Sequence, residues 1–138
     1  MAAYHITTRH KGRMAFEAEI GPHKVVMDTV AEGGGDDSGA SPKKLLLATL
    51  AGCTGMDIAS LLQKMRVVYS DFDIVTEADL TEEHPKVFSN IDITYRIRVA
   101  EGSRDKVEKA VALSQEKYCG ISAMLRKNSP LNYRIEYL

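Results

Sequence analysis

Apolar side chains are most concentrated in residues 41–66, where they predict one long, buried helix. Ser41 is a favourable N-cap, and Pro42 suits the first helical position because its missing N–H is not needed there. A helix that is apolar almost all round, rather than along one stripe, is expected to be buried. Charged residues interrupt the run, so we expect a core helix and no membrane span; they are Lys43, Lys44, Asp57 and Lys64.

Alternation of apolar and polar residues predicts strands before and after this helix. Residues 14–20 and 24–30 form a predicted hairpin around a tight turn, and the glycine-rich residues 31–40 form a predicted mobile loop. The remaining predicted elements are strands at 72–80, 91–99 and 131–137 and helices at 107–118 and about 122–127. Together they indicate one α+β domain over residues 1–138, with a mainly antiparallel sheet packed on the long central helix.

The predicted central helix is too long for the rest of the chain to cover. At about 1.5 Å per residue it spans on the order of 37 Å, and only about five strands are available to pack against it. A second copy of the chain would supply the missing cover. We therefore expect an intertwined homodimer.

Composition and charge limit the number of domains, the partners and the cell compartment that we expect for this protein. A chain of 138 residues with 44% hydrophobic residues can build one core. The net charge of −1, without a cluster of Lys and Arg, gives no reason to expect a nucleic-acid partner. Because the N-terminus lacks the apolar core of a secretion signal, we expect a cytoplasmic protein whose thiols stay reduced.

The two cysteines carry the candidate chemistry. Cys53 lies in the middle of the central helix between Gly52 and Gly55. Since glycine costs a helix about 1 kcal/mol relative to alanine, we expect another segment or a ligand to approach the sulfur closely. Cys119 falls at the junction of two predicted helices, where free backbone N–H groups would stabilise a thiolate. Asp57 follows Cys53 by one turn and would raise the pKa of the thiol unless it is paired or turned away.

A cation near Cys53 must come from another segment. The candidates are Arg9, Arg13, Lys43 and Arg96, and we favour Arg13 and Lys43 as thiolate-stabilising residues. Two cysteines 66 positions apart are too few for a zinc framework, so we expect no metal. The four histidines are scattered over predicted loops and strand ends and are expected at the surface.

Two segments of the chain resemble the OsmC/Ohr family of osmotically inducible proteins and organic hydroperoxide reductases. They are Ser41-Pro42 with Leu45-Leu-Leu-Ala-Thr-Leu-Ala-Gly-Cys53-Thr-Gly-Met-Asp57, and Glu116-Lys-Tyr-Cys119. The resemblance covers nearly the whole chain, and the motif is closest to the less characterised OsmC-like branch. It implies the OsmC-like fold and an intertwined homodimer with both sites at the subunit interface.

The resemblance also implies a thiol peroxidase without metal or flavin cofactors. Cys53 would be the peroxidatic residue, whose thiolate attacks the O–O bond of an organic hydroperoxide and becomes a sulfenic acid. Cys119 would be the resolving residue that converts this sulfenate to a disulfide. A dithiol, in this family typically dihydrolipoamide on a lipoylated protein, would restore both thiols.

Two positions depart from the family pattern. Well-characterised reductases carry a glutamate nine or ten residues before the reactive cysteine, paired with an arginine near the thiolate. Here those positions are Lys44 and Lys43, so the Arg–Glu arrangement cannot be carried over. Gly120 stands where many relatives have proline.

Three hypotheses follow. The first is an organic hydroperoxide reductase that uses Cys53 and Cys119. The second is a non-enzymatic protein that binds a hydrophobic ligand in the dimer cleft. The third is a dimeric scaffold whose cysteines are inert core residues, which a raised thiol pKa and slow alkylation would favour.

Overall fold

The computed structural model describes residues 2–138, and its contacts divide the chain into two compact units. The units are Met1–Leu46 and Leu47–Leu138. The long helix α1, Pro42–Lys64, begins in the first and continues through the second. The α+β class is confirmed, and the organisation as one domain over residues 1–138 stays a prediction.

The first unit contains a three-stranded antiparallel sheet in the order β1–β2–β3. Its strands are Thr7–Gly12, Ala15–Ile20 and His23–Met27. The predicted hairpin is therefore confirmed as β2 and β3, with Gly21 at a φ of 60° starting the turn between them. β1 was missed because its residues are mostly exposed and polar, so the strand carries no apolar alternation.

The glycine-rich segment after β3 is organised around a buried carboxylate. Asp28 is 3% exposed and accepts hydrogen bonds from the Ser38 hydroxyl at 2.7 Å and from the Ser38 N–H at 3.1 Å. The backbone N–H groups of Thr29 and Asp36 donate to the same carboxylate at 2.7 and 3.2 Å. We predicted a mobile loop; it is a loop, with a 3₁₀ turn at Ala31–Gly33 and a fixed set of hydrogen bonds.

Two glycines let this loop close on the strand that precedes it. A Cβ atom on Gly35 would lie 2.2 Å from the backbone oxygen of Thr29, and one on Gly39 would lie 2.2 Å from that of Val26. Glycine is therefore required at both positions by the close approach of backbone.

The second unit contains a mixed sheet packed against helices. β4, Tyr69–Leu80, pairs antiparallel with β5, Phe88–Val99, and β5 pairs parallel with β6, Leu131–Tyr137. A parallel pair needs a long crossover, which here holds α2, Arg104–Leu113, and α3, Gly120–Arg126. The six strands thus form two three-stranded sheets, where the sequence indicated one sheet of about five strands.

The core of the second unit lies between this sheet and the helices. The alternation predicted for residues 91–99 is confirmed at its apolar positions, because the alternate residues from Ile91 to Ile97 are buried. Thr94, predicted on the solvent face, is an exception at 5% exposed. The core members are Leu50, Ile58 and Leu62 of α1, Ile91, Ile93, Tyr95 and Ile97 of β5, and Val107, Ala110 and Val111 of α2.

Helix α1 buries only one face. Over its 23 residues the buried side chains are Leu50, Thr54, Ile58 and Leu62, whereas Met56 is 76% exposed. Among the described residues it is the one helix whose length and composition would let it cross a membrane. Its buried face packs on protein, so its other apolar face lacks cover within residues 47–138.

We predict that Asp28 makes the folding of the first unit sensitive to acid. Its hydrogen bonds lower the pKa of Asp28 to about 2 from an ordinary value of 3.8. The carboxylate therefore stabilises the folded state fully above about pH 4, and this contribution is lost as the pH falls towards 2. Guanidinium titrations at about pH 6 and about pH 2 should show that Asp28→Asn lowers the midpoint at the higher pH only.

Asp37→Asn is the matched control, because Asp37 is exposed in the same loop. An equal loss of stability in Asp28→Asn at both pH values would contradict the account.

Candidate active site

The fold brings together two cysteines that are 66 residues apart in the chain. Both are free thiols, and their sulfur atoms lie 3.1 Å apart, with Cys119 placed to donate a hydrogen bond to Cys53. Cys119 is 3% exposed, and Cys53 is partly exposed. A disulfide has an S–S bond of about 2.05 Å, so an approach of roughly 1 Å would join them. The arrangement is a pair of thiols in hydrogen-bonding contact.

A π-helical turn sets the position of Cys119. It covers Ser114–Tyr118 after α2, and the Cys119 N–H closes it by donating to the Ser114 carbonyl oxygen at 2.8 Å. Cys119 then takes an extended conformation and caps α3, where the Ser122 N–H donates to its sulfur at 3.4 Å. The predicted placement of Cys119 at the junction of two helical segments is confirmed. A π turn of this kind often marks a functional site.

The two glycines beside Cys53 have different surroundings. A Cβ atom on Gly55 would lie 3.0 Å from Cδ1 of Ile74, so glycine lets α1 pack closely on β4. A Cβ atom on Gly52 would meet nothing within 4 Å among the described residues. The expected close approach to the sulfur itself is made by Cys119.

The surroundings of Cys53 favour the neutral thiol. Burial raises the pKa of Cys53, and the nearby negative charge of Asp57 acts in the same direction. The Ile121 backbone N–H opposes them by donating to the sulfur. The expectation that Asp57 would raise this pKa is confirmed. The resting site therefore holds a thiol rather than a preformed thiolate.

A chain of hydroxyl groups runs beside the cysteines to Asp57. The Ser114 hydroxyl donates to Oδ2 of Asp57 at 3.0 Å, so it must accept the hydrogen of Thr54, whose Oγ1 lies 2.6 Å away. Thr54 then accepts from the Tyr95 hydroxyl at 2.7 Å, and Tyr95 accepts from Nε2 of Gln115 at 2.6 Å. Each hydroxyl hydrogen in this chain is therefore donated in the direction of Asp57, whose carboxylate is the final acceptor.

Arg126 fixes the far end of the hydroxyl chain. Its guanidinium donates to Oε1 of Gln115 at 2.9 Å and to the Gln115 carbonyl oxygen at 3.2 Å. Sequence analysis missed this network. The available signal was Thr54 and Ser114, two hydroxyl residues at positions that helical spacing assigns to the core; buried polar groups are normally hydrogen-bonded.

The two favoured cations belong to the first unit. Arg13 lies at the turn between β1 and β2 with a φ of 50° and forms an ion pair with Asp36. Lys43 is exposed in the first turn of α1. The other two candidates also have ion pairs, Arg9 with Glu19 and Arg96 with Asp73 at 3.3 Å. A role for Arg13 or Lys43 in stabilising the thiolate stays a prediction.

Cys53, Asp57 and Cys119 place two sulfurs and a carboxylate oxygen within 4.8 Å of one another, a donor set that zinc accepts. Tetrahedral zinc with bonds of about 2.3 Å to sulfur would hold the sulfurs about 3.8 Å apart. Here they are closer, at 3.1 Å, and hydrogen-bonded to each other. The geometry fits a dithiol pair better than a formed metal centre, and the expectation of no metal stays a prediction.

Comparison with known proteins agrees with this architecture. Protein YhfA of Escherichia coli strain K12 is 31% identical over 114 residues, which cover 83% of this chain and 82% of that protein. A hypothetical protein from Aquifex aeolicus VF5 has a similar structure, with a TM-score of 0.81, 25% identity and coverage of 100% and 99% of the two chains. An organic hydroperoxide resistance protein OsmC from Legionella pneumophila has a TM-score of 0.68 at 22% identity, with 99% of both chains covered.

The family assignment follows from the sequence match. Residues 34–134 match the family model described as OsmC-like protein, which is well over half of the chain. The matched range contains α1, the π turn and both cysteines. The resemblance inferred from the two motifs is confirmed, and the chain belongs to the OsmC-like protein family.

Proposed function

We propose that this protein reduces organic hydroperoxides with Cys53 and Cys119. One observation carries the proposal: the two thiols lie 3.1 Å apart although 66 residues separate them in the chain. Cys53 is the partly exposed member of the pair, so it meets the peroxide, and the buried Cys119 resolves the product. The OsmC-like family and its structural neighbours support a redox role.

The reaction balances with the two thiols as the source of electrons. Cys53 attacks the outer oxygen of ROOH, the O–O bond breaks, and the products are a Cys53 sulfenic acid and the alcohol ROH. The Cys119 sulfur then attacks the sulfenic sulfur, forming the disulfide and releasing water. A dithiol reductant, such as dihydrolipoamide on a lipoylated protein, exchanges with the disulfide and leaves as its own disulfide. No metal or flavin takes part, and a cytoplasmic location would keep such a reductant available.

The raised pKa of Cys53 agrees with slow background reactivity, which inert cysteines would also show. The pairing of the sulfurs separates these hypotheses, because an inert core cysteine has no need of a second thiol in hydrogen-bonding contact.

We predict that Cys53→Ser abolishes consumption of tert-butyl hydroperoxide in the presence of dihydrolipoamide. Serine keeps the size of the side chain but cannot form a sulfenic acid. Cys119→Ser should still react once per chain and then accumulate the sulfenic acid, because no second thiol resolves it. Peroxide consumption and trapping of the sulfenate by dimedone measure the two effects.

Each variant retains one of the two thiols and cannot form the disulfide between them. The two variants therefore serve as controls for each other. Wild-type turnover in Cys53→Ser would overturn the assignment of Cys53. Undiminished steady-state turnover in Cys119→Ser would overturn that of Cys119.

The uncovered face of α1 supports a homodimer as part of the functional protein. Four buried side chains along 23 helical residues leave apolar surface that a second copy would cover. Met56, 76% exposed in the middle of this helix, belongs to that surface. The family resemblance adds that the two copies intertwine and that each site lies at their interface.

We predict that the protein sediments as a dimer at micromolar concentration and that Met56→Glu shifts it towards the monomer, because a carboxylate would be desolvated at the interface. Met124→Glu is the matched control, since Met124 is 62% exposed on α3. A monomeric wild-type protein in analytical ultracentrifugation would contradict the proposal.

A second function has one observation in its favour. The first unit has an apolar hollow of about 320 Å³ lined by Thr8, Met14, Phe16, Met27, Asp28, Thr29 and Pro42. This is large enough for part of a hydrophobic ligand, as a non-enzymatic binding protein would require. Binding of a fatty acid that is unchanged in Cys53→Ser, together with no peroxide turnover in the wild type, would favour this alternative.

A further inference from the structure

The hydroxyl chain ends on the carboxylate of Asp57, which takes no part in the reaction proposed for the two thiols. We propose that Asp57 is the proton-transfer residue of this site: it takes the thiol proton and delivers it to the departing oxygen. This inference rests on the proposed peroxidase function. It gives an acid–base role to a residue of α1 that lies beside both thiols.

Position supports the assignment. Asp57 is one helical turn after Cys53 on α1, and a carboxylate oxygen lies within 4.8 Å of both sulfurs. Ser114 donates to Oδ2, and among residues 2–138 it is the only hydrogen-bond donor to this carboxylate. Oδ1 therefore has no hydrogen-bond donor among these residues.

The direction of the hydrogen bonds in the hydroxyl chain also supports a role for Asp57 in proton transfer. Because each hydroxyl from Tyr95 to Ser114 already donates its hydrogen to the next, the chain holds Asp57 in place and cannot itself receive the thiol proton. Within this network the carboxylate is therefore the group that can accept the thiol proton. Cys53, Cys119 and the Ser114 hydroxyl face Asp57 on its inner side.

The outer side of Asp57 opens to a surface groove. The groove has a volume of about 260 Å³ and is lined by Met56, Asp57, Ser60, Leu61, Lys64 and Tyr118. Lys64 and Tyr118 are the other titratable groups that line this side of Asp57.

The two chemical steps each move one proton through the carboxylate. In the first, Asp57 accepts the proton of Cys53 as the S–O bond forms and the O–O bond breaks, and it then protonates the alkoxide to give ROH. In the second, it accepts the proton of Cys119 as the S–S bond forms and the S–O bond breaks, and it protonates the leaving hydroxide to give water. Asp57 ends each step ionised, so atoms and charge balance.

The test compares peroxides whose leaving groups need a proton to different extents. tert-Butyl hydroperoxide releases an alkoxide, which needs one; peracetic acid releases acetate, which does not. We expect Asp57→Asn to lower the rate constant of Cys53 oxidation roughly a hundredfold with the hydroperoxide and less than about threefold with the peracid. Asp57→Glu should restore part of the hydroperoxide rate, and Asp79→Asn, at an exposed position of β4, should change neither.

Alkylation by iodoacetamide gives a readout that a structural role would not produce. Iodide leaves without a proton, and in this slow reaction the thiol can lose its proton to water beforehand, so that removal of the Asp57 charge favours the thiolate. Asp57→Asn should therefore alkylate Cys53 faster than the wild type while reducing hydroperoxide more slowly. Equal losses with both peroxides and with iodoacetamide, or no loss with the hydroperoxide, would overturn the proposal.

The same measurements distinguish a failure of the Asp57 proposal from a failure of the proposed peroxidase function. If the wild type and Cys53→Ser consume hydroperoxide equally, the peroxidase proposal fails and takes this one with it. If wild-type consumption depends on Cys53 but Asp57→Asn keeps the full rate with tert-butyl hydroperoxide, only the role of Asp57 is wrong.

Discussion

The hydrogen bonds made by Thr54 hold the site together. Its hydroxyl contacts Tyr95 on β5 and Ser114 at the start of the π turn, so one buried side chain of α1 fastens the sheet and the segment that carries Cys119. Nε2 of Gln115 also donates to this hydroxyl, at 3.3 Å, so loss of the hydroxyl would leave three buried polar partners short of a hydrogen bond, at a cost of about 1–3 kcal/mol for each unsatisfied group. The register of Cys53 against Cys119 depends on that attachment, because Cys53 directly precedes Thr54.

Bringing two sulfurs together in this way has an electrostatic consequence. Cys119 is nearly buried between the π turn and the start of α3. Cys53 is itself partly buried beside it, and this burial raises the pKa of Cys53. A site of this kind cannot rely on a resting thiolate. The thiol proton has to be removed during the reaction. A carboxylate near both sulfurs disfavours a resting thiolate, but it can accept that proton.

The sequence predicted those parts of the fold that apolar periodicity encodes. The approximate length of α1, the apolar positions of β5 and the placement of Cys119 between two helical segments were correct, since each follows from local pattern. β1 was missed because its exposed polar residues show no period, and the parallel pairing of β6 depends on a crossover that periodicity does not specify. The partners of Asp57 could not be predicted for another reason. The contact with Ser114 joins residues 57 positions apart, and no local sequence pattern indicates which distant residues will be in contact.

The central claim is that Cys53 and Cys119 form one redox couple. The most direct measurement is mass spectrometry of the reduced protein after one equivalent of an organic hydroperoxide. The account predicts a loss of two hydrogen atoms per chain and a peptide map under non-reducing conditions that joins the two cysteine peptides of the same chain. Recovery of both peptides as unmodified thiols, or of Cys53 oxidised to the sulfinic acid with Cys119 still free, would contradict it.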